Sequence, residues 1–120
     1  MRSFVELIAP RGERRLFFVL TFFVLVIAWT IPYWKLKNVV APGALLPLHY
    51  NVHLGVDYAG PWYVSLFFPG FATVVLIVNT LLASWVRKQS KLLEYTLVIS
   101  ALCVALFTVL ALFFVLVLNA

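Results

Sequence analysis

Three long, strongly apolar stretches of this 120-residue chain carry no charged side chain: residues 16–34, 62–86 and 97–118, of 19, 25 and 22 residues. A bilayer's hydrocarbon core is about 30 Å thick and a helix rises about 1.5 Å per residue, so about 20 apolar residues cross it. Every backbone amide in lipid must be bonded within its own segment or within a closed barrel. The runs lack the strict alternation of barrel strands, so each reads as a transmembrane helix. Composition agrees: 65% of residues are hydrophobic and 11% charged, against about 25% charged in soluble domains. A water-soluble globule, a disordered tail and a nucleic-acid-binding module are excluded.

The chain therefore reads as an all-α membrane protein, a single three-helix domain with a small extended or hairpin-like extracytoplasmic loop. Its segments are a cytoplasmic tail (1–15), a first helix (16–34), an outside loop (35–61), a second helix (62–86), a cytoplasmic loop (87–91) and a third helix (92–118). Arg11, Arg14 and Arg15 before the first apolar run look like the start of a signal peptide. The run is too long for one, and no small-x-small cleavage site precedes Tyr33, so it reads as an anchor. Lys and Arg counts set the orientation. The tail holds four and the second loop three (Arg87, Lys88, Lys91), against two in the first loop (Lys35, Lys37). The expected state is a multi-pass protein of the plasma membrane, N-terminus cytoplasmic and C-terminus outside. Trp29, Tyr33, Trp34, Trp62 and Tyr63 then form the outer aromatic belt and Trp85 lies on the inner side. Residues 3–9 read equally as an interfacial helix or as a tail whose arginines only fix topology.

Helices in lipid associate through close packing and hydrogen bonds rather than hydrophobicity. Gly70, Thr73, Ile77, Thr80 and Ser84 form a mostly small stripe on the second span, with Ala72, Asn79 and Ala83 beside it. Ala101, Ala105 and Thr108 form one on the third, and the short loop between the spans predicts that these two faces meet. The first span, with Phe18, Phe22, Leu25 and Trp29, reads as an outer helix or a contact with another protein. Asn79 reads as an interhelical bond rather than a substrate contact, because no charged relay surrounds it. Glu94 is expected at the inner interface, pairing with Lys91 or Arg87 or capping a helix start. Pro69-Gly70 predicts a kink in the second span, and Gly60-Pro61 a helix start.

In the outside loop, residues 48–58 alternate apolar and polar with period two, the pattern of an extended strand. Residues 35–40 offer a partner strand. His49, His53 and Asp57 are spaced by four, which suggests a metal site on a helix. On one continuous strand neighbours in that set lie about 13 Å apart, too far to share an ion. No metal and no cofactor are therefore expected. No serine or cysteine lies in the loop and Asp57 is its only acid, so catalysis is not expected there either.

The run from Leu46 through Pro47, Leu48, His49, Tyr50 and Asn51, then Asp57 and Gly60, resembles a bacterial membrane domain of unknown function. That domain occurs in, among others, immunity proteins of Sdp-type peptide toxins. Pro47, His49, Tyr50, Asn51, Asp57 and Gly60 match its apolar-Pro-x-His-aromatic-Asn and Asp-x-x-Gly pattern. Gly55 stands one position late, Val56 replaces a proline, and Pro61-Trp62 replaces a Ser-Lys pair. The resemblance covers about a fifth of the chain. It implies a small inner-membrane protein that binds a protein or peptide partner, such as a toxin, or takes part in signalling. Independently of it, the loop motif reads as structural or partner-binding. Three functions follow for comparison. The first is a non-enzymatic interaction protein: an accessory subunit, an immunity-type factor or a regulator. The second is a homo-oligomeric transporter or channel with Thr73, Asn79 and Thr80 lining a pore, and the third a metal-dependent enzyme using His49, His53 and Asp57.

Overall fold

A computed structural model describes residues 12–36, 38 and 45–118 of the chain. The readings made for residues 3–9 and for Arg2 and Arg11 lie outside the described residues. Three helices are long and apolar enough to cross a membrane: α1 (Glu13–Thr30), α2 (Phe67–Val86) and α3 (Lys91–Leu118). The last, of 28 residues, is about 42 Å long. The chain is thus a multi-pass membrane protein of mostly helical architecture.

α3 is the central helix. Its buried residues are Glu94, Val98, Ala101, Ala105, Thr108, Leu112 and Val115, alternating steps of four and three. That 3.5-residue repeat keeps one seam facing its neighbours along the whole helix. Leu25 of α1, Ala72 and Leu76 of α2, and Ala101 and Ala105 of α3 close into one core. The three alanines let the helices approach, so the gain comes from van der Waals contact. α1 and the turn that follows it present Thr21, Leu25, Ala28 and Pro32, all buried, at steps of four, three and four. The first span is therefore a packed member of the bundle rather than an outer helix. Its bulky Phe22 and Trp29 remain exposed, while the smaller residues between them make the contact.

The face of α2 also differs from the expected stripe. Its buried residues are Pro69, Ala72, Leu76 and Ala83, and Asn79 on the same face donates to Leu97 O (3.0 Å) and Ser100 Oγ (2.9 Å) of α3. Thr73, Ile77 and Thr80 line a groove beside α1 instead. Gly70 and Ser84 are half-buried. The reason is how threonine is satisfied: Thr73 donates to Pro69 O and Thr80 to Leu76 O within their own helix, so neither needs to donate to α3. Asn79 has two N–H donors that its own helix leaves unpaired, and these fix which face meets α3. Its bonds contribute roughly 0.6–2 kcal/mol.

The first and second spans both deviate from α-helix at proline where they approach the hairpin. Ile31–Leu36 is a π-helical turn around the buried Pro32, a geometry that absorbs the missing N–H. The second span opens with a 3-10 segment, Trp62–Leu66, capped by Pro61. Pro69 consequently falls in the first turn of α2, where a missing donor costs little. The interruption expected at Pro69-Gly70 is a change of helix type before it. Tyr33 and Trp62 meet edge to face at 6.3 Å, and Trp62 packs with Val64 on Val115 near the end of α3.

Residues 46–60 form an antiparallel hairpin of β1 (Leu46–Asn51) and β2 (Gly55–Gly60), where a single extended run over 48–58 was expected. Asn51 pairs with Gly55 across a three-residue turn, 52–54. Gly55 has φ 76°, a left-handed conformation that closes such turns and strains residues with a Cβ. The extended segment therefore pairs with itself. Lys35 and Leu36 end the π-helical turn, and residues 37, 39 and 40 lie outside the described residues.

Candidate functional site

Two places concentrate the polar chemistry, at opposite ends of the bundle. The first joins the starts of α1 and α3 to the end of α2. Ser90 initiates α3, its Oγ accepting the Leu93 N–H at 3.3 Å, so the helix start is capped by serine and not by Glu94. Glu94 lies one position beyond the capped turn on the inner seam, fully buried. Its Oε1 lies 2.9 Å from Arg14 Nε of α1 and 3.3 Å from Arg87 Nε beyond α2. Both arginine side chains are 16% exposed. Neither Nε points along its N–H bond at the carboxylate, and Oε2 has no hydrogen-bond partner among the described residues. The attraction is thus mainly Coulombic, in a setting where water screens it little. The Arg14 guanidinium also lies 5.2 Å from the centre of the Tyr95 ring, within cation–π range.

Of the two partners expected for Glu94, Arg87 is found. Arg14 was missed, because no local spacing links α1 to α3. One signal was available: extending the seam of Val98, Ala101 and Ala105 back by four residues lands on Glu94. An acid on a buried seam needs cations from neighbouring elements, and Arg14 is the residue that opens the first span.

The second place is the hairpin. β1 meets the far end of α3, and Gly60 is buried at the hairpin base opposite Leu46. At the tip Val52 is 84% and Leu54 78% exposed, flanking an exposed His53. Two solvent-facing aliphatic side chains on a tight turn form a small apolar prow. The backbone pairs Pro47 with Ala59, His49 with Tyr58 and Tyr50 with Val56, with an irregular register around His49. The side chains of His49, Tyr50, Asn51 and Asp57 lie outside the described part of the structure. The fold does change one premise. The separation of about 13 Å held for a continuous strand, whereas the hairpin brings the backbones of His49 and residues 57–58 side by side and leaves His53 in the turn. Among the described residues, no group of three His, Cys, Asp or Glu side chains clusters as metal ligands do.

A groove of about 390 Å³ runs between α1 and α2, which both pack on α3 but touch each other little. Its wall is apolar, and a Trp29 Nε1 bond to Thr73 Oγ1 (3.1 Å) bridges its two sides. Cys103 is exposed on α3. No family model, curated protein or solved structure matches the chain. The resemblance of residues 46–60 to the immunity-type domain therefore rests on the motif residues alone.

Proposed function

We propose that this chain is a non-catalytic cell-membrane protein that works by protein or peptide contact, as an accessory subunit, immunity-type factor or regulator. In this reading the hairpin faces outside and the Glu94 end faces the cytoplasm. Seven Lys and Arg flank the Glu94 side of the spans and two the hairpin side, which favours that orientation. The observation that carries the reading is the exposed Val52 and Leu54 pair, held on a left-handed Gly55 away from the bundle. Exposed aliphatic side chains release ordered water when a partner covers them. The other polar chemistry supports the same reading. Asn79 is spent on α3, Glu94 on two arginines, and the threonine hydroxyls on their own helices. That leaves little polar surface for a pore.

The test is photo-crosslinking in native membranes, with a photoreactive residue at position 54 or, as a lipid-facing control, at position 110. Position 54 should give a discrete heavier adduct that disappears when Val52 is changed to Ser. Position 110 should give no discrete adduct. Lipid adducts alone at position 54 would remove the interaction reading.

A further inference from the structure

The groove between α1 and α2 continues, on both walls, into cations at one end. On α1 the residues Arg14, Phe18, Phe22 and Trp29 succeed one another at helical spacing. On α2 the series is Thr73, Ile77, Thr80, Ser84, and then Arg87 beyond the helix end. Phe18, Phe22, Trp29, Thr73, Ile77 and Thr80 line the groove. Arg14 and Arg87, one to two turns beyond the last lining residues, converge on Glu94 of α3. Arg15 and Lys88, next in sequence to these arginines and both exposed, bring positive charge to that end of the groove.

We propose that this groove seats one anionic phospholipid, its phosphate at the exposed Arg15 and Lys88 and one acyl chain between α1 and α2. Three observations favour a lipid over a protein helix. The groove is lined almost wholly by carbon, which suits an alkyl chain. From Phe18 to Trp29 it runs about 16 Å along α1, close to the half-thickness of a bilayer core of about 30 Å. The Trp29–Thr73 hydrogen bond crosses it at that depth, where a helix crossing the whole membrane would have to pass. The mouth carries positive charge, which complements a phosphate, and anionic lipids gain roughly fivefold in affinity for each Lys or Arg near the headgroup.

The experiment uses the full chain in detergent, incubated with equal amounts of phosphatidylglycerol and phosphatidylcholine bearing identical acyl chains, and read by native mass spectrometry. One phosphatidylglycerol per protein should be retained, preferred over phosphatidylcholine by at least about fivefold. Replacing Arg15→Gln and Lys88→Gln together should bring the retention of the two lipids close to equal. Both side chains are exposed, so this variant keeps the fold. Ile77→Trp fills the groove and should abolish retention, whereas Leu110→Trp on the lipid-facing side of α3 should leave it intact. Circular dichroism checks that both tryptophan variants retain their helices. Equal retention of the two lipids, or retention by Ile77→Trp matching the parent, would overturn the proposal. So would a lipid-free dimer, which would make a second copy the occupant.

Discussion

Glu94→Gln is expected to destabilise the bundle by about 3–5 kcal/mol, the cost of removing one member of a buried ion cluster. The carboxylate is fully buried, and two guanidinium groups lie within 3.3 Å of its Oε1. With a neutral amide in its place, Arg14 and Arg87 face each other across the same space without a counter-charge. Their side chains are only 16% exposed, so water compensates little. Arg14→Gln should cost less, because Glu94 keeps Arg87. Replacing all three by leucine should cost least, since exchanging a buried ion cluster for apolar side chains is often neutral or stabilising. Unfolding in mixed micelles with increasing dodecyl sulfate measures all three variants. A loss below about 1 kcal/mol for Glu94→Gln would place the pair in the class of exposed ion pairs and remove its role as a clasp.

The second large effect is expected at the centre of the seam. Ala105 is fully buried against Leu25, Ala72, Leu76 and Ala101, so a phenylalanine there has no space and must push α1 and α2 off α3. Overpacking a close-packed interior costs about 1–3 kcal/mol and occasionally more. Ala105→Phe belongs at or above the top of that range, because it separates three helices at once. Phe107→Ala, two residues on at a side chain 70% exposed, should stay within about 0.5 kcal/mol. The same titration in mixed micelles compares them. Equal stabilities would mean that the alanine face does not hold the helices together.

The three spans were legible because lipid imposes a length and a polarity on any segment that crosses it. The small face of α3 was also legible, since Ala101, Ala105 and Thr108 recur at helical spacing. The face of α2 was not. Counting small and hydroxylated residues favours Thr73 and Thr80, but their hydroxyls bond their own helix. The better criterion is the group that cannot be satisfied locally, and Asn79 is that group; it selects Ala72, Leu76 and Ala83. The hairpin was hidden for a related reason. Alternation over residues 48–58 persists through the turn, and only Gly55, with its left-handed backbone, tells a folded strand from a straight one. Arg14 meets Glu94 through tertiary packing alone, from a point 80 positions away in the chain.

The proposed function requires the hairpin to lie outside the cell and the Glu94 clasp in the cytoplasm. In a Cys103→Ser background, single cysteines at His53 and at Lys88 can be challenged with a membrane-impermeant maleimide in intact cells. His53→Cys should label at once and Lys88→Cys only after permeabilisation. Labelling of both from outside, or of Lys88→Cys alone, would contradict it.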